Sequence, residues 1–451
     1  MRRLLLLLAL LSGGAAPAQN QQGAFFPYPM TCDRLENSLQ VCRVPFNSPG
    51  LVAYYTSMRV GSRNEVEPGH SGFAHFFEHM MFRGTKKVPG AAREKFISQG
   101  GFADNAFTTP DITVYNAFGP NDRLLDLIEI EADRFQNLEY AEPAFRTEAQ
   151  AVLGEYHKNA ANPSRKLDEL LADTAFSAHT YKHTTLGFYD DIKAMPGYYE
   201  YSKQFFRRWY TPDNATIFVV GDFDDAKVMA AIRQHYGSWK SRSANVKIPV
   251  EPKQTAWKEA HLDWPSPTLP RHLHAWHVPG FSTSNLDSAV RDILGEYLVG
   301  QTSPVYKDLV LEKGLAEQVG VWSGLRRDPN LFSILAVMKT EAARDAVQDA
   351  FNKAVNDLAK GRVDAQRVKE IQSNARYAFL MGLETPADVA VQLSWYTGVG
   401  GSPQAMEKHF QNLAKVKPSD LVDFVKKHLQ ARNRTMVSLT PKAPAAQGGD
   451  K

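Results

Sequence analysis

An α+β fold built from two similar domains, each an antiparallel sheet packed with helices, is what the sequence predicts, and three observations carry the prediction. Strand-like and helix-like stretches alternate through the first half of the chain instead of separating into blocks. Each half closes on the same order of helix, polar turn and strand: FFRRWYTPDNATIFVVGDF at 205–223 and FVKKHLQARNRTMVSLTP at 424–441. Asn214 and Thr216 of the first align with Asn433 and Thr435 of the second at a constant spacing of 219 residues, the mark of a duplication.

In chain order, the start MRRLLLLLALLSGGAAPAQN has a charged head, an apolar run from Leu4 to Leu11 and a small-residue end at Ala16-Pro17-Ala18. This pattern predicts a signal peptide over residues 1–18 and a periplasmic or secreted location. Loss of Arg2 and Arg3 from the 52 Lys and Arg leaves 50 basic against 49 acidic side chains, a formal +1, which gives no basic face for nucleic acid. No later stretch approaches the roughly 20 apolar residues of a membrane span. The two cysteines stand in TCDRLENSLQVCRVP. With Glu36-Asn37-Ser38 as a hairpin loop, Leu35 faces Leu39 and Cys32 faces Cys42, so the pair forms a disulfide in an oxidising compartment or stays as two buried thiols.

LVAYYTSMRVGSR (51–63) reads as a strand, and HSGFAHFFEHMMF follows as a helix between Pro68 and Gly84. AAREKFISQGG is a short helix, and FADNAFTTPDITVYNAF is one or two strands broken at Pro110. Long helices are predicted over 121–138 and 143–158. An N-terminal domain is thus expected at 25–240, a proline-bearing linker at 241–255, a C-terminal domain at 256–441 and a disordered tail at 442–451. No phosphate-binding loop, dinucleotide fingerprint or heptad array is present.

The chemistry-bearing stretch is SGFAHFFEHMMFRG. On a helix His75, Glu78 and His79 share one face, while Phe73, Phe76, Phe77 and Met80 are left to anchor the others in a core. Histidines at i and i+4 can reach one zinc ion at ~2.0–2.1 Å and leave it needing a third protein ligand. The order H-x-x-E-H is the inverse of the common metalloprotease motif. Downstream, PAFRTEAQAVLGEYHKN carries Glu148 and Glu155 seven residues apart on one predicted helix face, and one of them can supply the missing carboxylate.

At this point the chain resembles the pitrilysin family of zinc peptidases, in particular its half-length chains similar to the mitochondrial processing peptidase subunits and their bacterial relatives. The resemblance runs over nearly the whole mature chain, through HFFEH, DNAFTTPDITVY, the paired glutamates, WYTPDNATIFVVGDF and a second, degenerate copy containing SPVYKDLVLEKGLA. It implies the mitochondrial processing peptidase and LuxS-like metallohydrolase type of fold and one zinc ion per chain. The ion would be held by His75, His79 and Glu155, with Glu78 as catalytic base and Glu148 supporting the site. It also implies that Asn105, Ala106 and Thr108 lie on an edge strand that takes an extended peptide substrate.

One departure stands out. Active members carry an arginine and a tyrosine, seven residues apart, in the second copy; here those places hold Val310 and Glu317. The resemblance therefore implies an endopeptidase for short or unfolded peptides that acts as the zinc-bearing subunit of a heterodimer, with the partner supplying the Arg/Tyr pair. A homodimer and a non-catalytic binding or scaffold subunit with a relic metal site are the alternatives. Two other histidine pairs compete for attention. His272 and His274 share a strand face but lack an acidic neighbour, so they read as a polar strand face; His179 and His183 read as loop residues. The positions 219 residues after His75, Glu78 and His79 are Leu294, Tyr297 and Leu298, which makes the second copy metal-free.

Overall fold

The structure, a computed structural model, describes residues 25–240 and 242–442. The expected signal peptide and nearly all of the expected tail lie outside them. The first half forms a six-stranded sheet from β1 (Thr31–Arg34), β2 (Gln40–Pro45), β3 (Leu51–Met58), β4 (Ala103–Thr108), β5 (Thr113–Pro120) and β6 (Ala215–Gly221), in the order β1-β2-β6-β3-β5-β4. The second half forms a five-stranded sheet from β7 (Lys258–Trp264), β8 (Arg271–Val278), β9 (Ala316–Val321), β10 (Asn330–Met338) and β11 (Arg434–Pro441), in the order β7-β11-β8-β10-β9. Apart from β1 the two orders superpose strand for strand. Between the sheets, residues 242–257 carry no helix or strand.

Each sheet is mixed, where the sequence predicts an antiparallel one. β6 returns after a long helical excursion and inserts between β2 and β3, which run in opposite directions; it is parallel to β2 and antiparallel to β3. β11 does the same between β7 and β8. Both returning strands are preceded by an asparagine that donates to the carbonyl five residues back: Asn214 to Trp209 at 2.9 Å and Asn433 to His428 at 2.7 Å. This shared cap explains why these positions survive in both copies.

The opening hairpin closes with Leu35 donating to the Leu39 carbonyl at 2.9 Å, and Ser38 takes the left-handed φ of 76° that the loop requires. Its register sets Cys32 opposite Cys42, and the structure joins them in a disulfide.

The halves are interlocked as well as linked. Helix Pro163–Ala175 of the first half lays Leu167 and Leu171 on Leu273, Val437 and Leu439 of the second sheet. Helix Pro386–Gly400 of the second half packs Val389, Ala390 and Leu393 against the back of the first sheet, where Ala53, Val114 and Phe218 belong to the same core. At Gly398 an added Cβ would run into the Ile112 side chain, so the helix backbone itself touches the sheet. Each buried leucine contributes on the order of 1.5–3 kcal/mol. The other face of the first sheet is covered by the helices that carry the site.

Candidate metal centre

The motif helix, Phe73–Met80, buries Phe73, Phe76, Phe77 and Met80 completely. Their spacing groups them on one side, where Phe77 stacks on Phe205 of helix Tyr199–Trp209 with centroids 5.6 Å apart and Phe76 meets Phe145 at 5.0 Å. The helix tightens into a 3-10 turn over Met81–Arg83 and ends at Gly84, whose φ of 86° stops it. At its other end Gly72 has a φ of 92°, and an added Cβ there would overlap the Ile192 side chain. Two acidic side chains fix this end: Glu65 accepts from the N–H groups of Gly72 and Ala74, both at 2.7 Å, and Asp191 accepts from the N–H and hydroxyl of Ser71.

With the apolar face docked, His75, Glu78 and His79 face the long helix Glu142–Ala160, which brings Glu148 and Glu155 opposite them. Nε2 of His75 lies 3.5 Å and Nε2 of His79 3.4 Å from the same oxygen, Oε2 of Glu155. These separations are too long for charge-assisted hydrogen bonds, which close to roughly 2.7–2.9 Å. They match the edge of about 3.3–3.4 Å that a tetrahedron of ~2.0–2.1 Å zinc bonds requires. The ligand atoms of all three residues lie within 4.8 Å of one another, and this is the single such trio among the described residues.

Glu148 does a different job. It is buried, its Oε1 accepts from Nδ1 of His79 at 2.9 Å, and its other oxygen is held by Arg83, whose Nε donates at 2.7 Å. A proton kept on Nδ1 leaves the Nε2 lone pair of His79 free for a metal, the carboxylate–histidine arrangement of metal sites. Glu78 is half-buried and accepts from the Thr108 hydroxyl at 2.6 Å. Asn159 donates to the Glu155 backbone carbonyl at 3.1 Å and approaches its Oε1 at 3.5 Å.

The electrostatics fit a dication. Three carboxylates, Glu78, Glu148 and Glu155, meet one guanidinium, Arg83, so with neutral imidazoles the cluster is short of two positive charges. Burial, helped by His79, pushes His75 down to about 4 and keeps its imidazole neutral. The hydrogen bond that His79 donates to Glu148 pulls His79 up, and burial pushes Glu78 up against the opposing bond from Thr108. Burial pushes Glu148 up too, but its bonds to His79 and Arg83 outweigh that and hold it low. Nδ1 of His75 is buried with no partner among the described residues.

The expected substrate strand is β4, which pairs with β5 and forms the edge of its sheet. Asn105 is exposed and accepts from the Ala106 N–H at 2.9 Å, Ala106 is buried, and the Thr108 side chain is turned onto Glu78. Val310 lies in the π-helical turn Lys307–Glu312, packed against the core, and Glu317 is exposed on β9. His272 and His274 are both buried, Nε2 to Nε2 at 3.0 Å, and so form a core pair where the sequence suggested a polar strand face. His179 and His183 flank a short 3-10 turn, in a loop but buried.

Four contributors escape the sequence reading: Arg83, Thr108 as the partner of Glu78, Asn159 and Glu65. Arg83 is four residues after His79, a helical spacing that could have pointed to it. Glu65 reaches the helix across a loop, and no periodicity encodes that.

Two sequence profiles match: insulinase (peptidase family M16) over residues 54–187 and the peptidase M16 inactive domain over 199–375. The zinc protease PqqE of Helicobacter pylori is 30% identical over 423 residues, covering 90% of this chain and 92% of that one. The crystal structure of a protease from Helicobacter pylori superposes with a TM-score of 0.85 at 29% identity, over 92% of this chain and all (100%) of that one. The periplasmic protease PqqL of Escherichia coli shares the fold at 18% identity and a TM-score of 0.73, over 92% of this chain and 48% of that chain. By this similarity, together with an H-x-x-E-H helix that sets its histidines against Glu155, the chain belongs to the insulinase family of peptidases, family M16.

Proposed function

We propose that the chain is a zinc-dependent endopeptidase that hydrolyses short or unfolded peptides and works as the metal-bearing subunit of a dimer. The observation that carries this reading is the convergence of His75, His79 and Glu155 at tetrahedral edge distances with Glu78 beside them. A zinc ion held by these three residues would supply Lewis acidity and make a bound water acidic near neutral pH. Glu78, held at Oε2 by the Thr108 hydroxyl, would take the proton from the attacking water and deliver it to the leaving amine. The half-burial that raises Glu78 suits a group that must accept and return a proton. β4 offers its open edge to an extended peptide, with Asn105 exposed along it.

A second chain is supported by what this one lacks. No arginine or tyrosine stands at Val310 or Glu317 to steady a developing oxyanion. The chain also spans about half of the Escherichia coli protease, whose remaining length leaves room for a second such half. We assign the missing Arg/Tyr pair to a homologous partner. Residues 1–18 and the disulfide suit a periplasmic or secreted protein. Val310 and Glu317 also favour a second reading, a binding or scaffold subunit with a relic site. Elemental analysis of the purified chain tests both: about one zinc per chain, with peptide cleavage restored by a partner carrying the Arg/Tyr pair, is expected. Zinc-free protein after exposure to zinc leaves the scaffold reading standing.

A further inference from the structure

The seam between the two halves holds a cavity of about 510 Å³, roofed by the linker residues 243–251. Arg59 and Arg63 enter it from the end of β3 and the turn after it, and Arg327 enters from the loop before β10. The acids around it are already engaged. Asp328 accepts from Arg63 Nε at 2.6 Å and His179 Nε2 at 2.9 Å. Glu251 accepts from the N–H groups of Ser177, Ala178 and His179 and from the Ser177 hydroxyl. Asp213 accepts from the N–H and hydroxyl of Ser243.

The arginines are not balanced in the same way. Neither Arg59 nor Arg327 has an ion-pair partner among the described residues; Arg59 Nε donates to the Gly398 carbonyl at 2.8 Å and Arg327 to the Arg59 carbonyl at 3.3 Å. Asp111 lies near enough to favour their charged forms, but its oxygens are taken by the Tyr181 hydroxyl and the Arg327 backbone N–H. Burial lowers both guanidiniums, and the neighbouring arginines lower them further, Arg327 to about 10. Two crowded guanidiniums that line one cavity, each bonded to a backbone carbonyl and neither paired with a carboxylate, leave donors and positive charge for an anion.

We propose that this cavity is a binding site for a small oxyanion, phosphate or carboxylate, held by Arg59 and Arg327 between the two halves of the chain. The ligand would bridge residues from both halves, so binding should raise the melting temperature by mass action. The site is independent of the metal centre.

Calorimetric titration of the mature chain with inorganic phosphate, N-acetylalanine and N-acetylalaninamide tests it, each run on zinc-loaded and on chelator-treated protein. Saturable binding of phosphate at one per chain, with or without zinc, identifies a free inorganic oxyanion as the ligand class. Binding of N-acetylalanine but of neither the amide nor phosphate identifies a peptide carboxyl end. Arg59→Gln and Arg327→Gln should each weaken binding about tenfold or more. Arg327→Lys, which keeps the charge and loses the forked donors, should weaken it severalfold and guards against a folding failure of the glutamine variants. Binding to none of the three ligands, binding only in the presence of zinc, or unchanged affinity in Arg327→Lys together with whichever glutamine variants fold would each overturn the proposal.

Discussion

Helix Phe73–Met80 in the first half and helix Asp287–Val299 in the second stand in corresponding places, each between the central hairpin strand and the edge strand of its sheet. Where the first carries His75, Glu78 and His79, the second carries Leu294, Tyr297 and Leu298, with both leucines fully buried and Tyr297 accepting from the Asp364 N–H. The second helix shows what the position asks of a helix when only packing matters. The first keeps the packing on one face and puts a charged cluster on the other, at the cost of burying Glu148 and recruiting Arg83 to balance it. Packing is common to both halves, and the site is an addition to one of them.

The sharpest way to break the contrast is to remove chemistry and leave everything else. Glu78→Gln keeps the shape, and Thr108 can still donate to its carboxamide oxygen. Turnover of a peptide should fall by roughly a thousandfold or more while zinc per chain stays unchanged. Retained turnover would remove Glu78 as the base. Next in size, Glu155→Gln takes away the anionic ligand and should weaken zinc binding by more than the ~10–100-fold typical of an outer partner. Competition with a fluorescent chelator measures this, and an unaltered affinity would end its role as a ligand. Glu148→Gln should fall within that ~10–100-fold range, because it disturbs the proton on His79 Nδ1 and leaves the ligand trio in place. An effect as large as that of Glu155→Gln would mean that Glu148 itself reaches the metal.

The contrast also explains what could be read from residues alone. Duplication, strand order at the end of each half and the polar face of the motif helix all depend on short-range spacing, and the H-x-x-E-H and Glu148/Glu155 intervals translate directly into one face of a helix. Two things depend on the path of the chain between elements. One is the exchange of helices Pro163–Ala175 and Pro386–Gly400 between the halves, invisible because an apolar helix face does not say which sheet it covers. The other is the cluster of side chains supporting the site: Thr108 reaches Glu78 across 30 residues, and its hydroxyl sits where the sequence suggested only a backbone contact for substrate. The burial of His272 and His274 was hidden for a similar reason, since the helices that cover their strand face come from elsewhere in the chain.

The smallest effect expected comes from how the two helices begin. At the N-terminal turn of Asp287–Val299 the Asp287 N–H is accepted by a neutral group, the Asn285 side chain, at 3.0 Å. Its counterpart is served by Glu65, 4% exposed, which burial pushes up to about 8 even though the N–H groups of Ala74 and Gly72 pull it down. The folded chain therefore holds a proton on Glu65 between roughly pH 4.5 and 8 that the unfolded chain releases. Stability from this group is fully present below that window, falls as pH rises through it, and levels off above it, with a slope of at most about 1.4 kcal/mol per pH unit. Carboxylates held low, such as Asp328, act in the opposite sense and at more acidic pH, so they do not mask it. Urea unfolding of the wild type and of Glu65→Gln, both in chelator, should give two curves that separate across pH 5–8. A constant difference across that range would mean that Glu65 is ionised in the fold, and that both helices begin on groups whose charge does not change with pH.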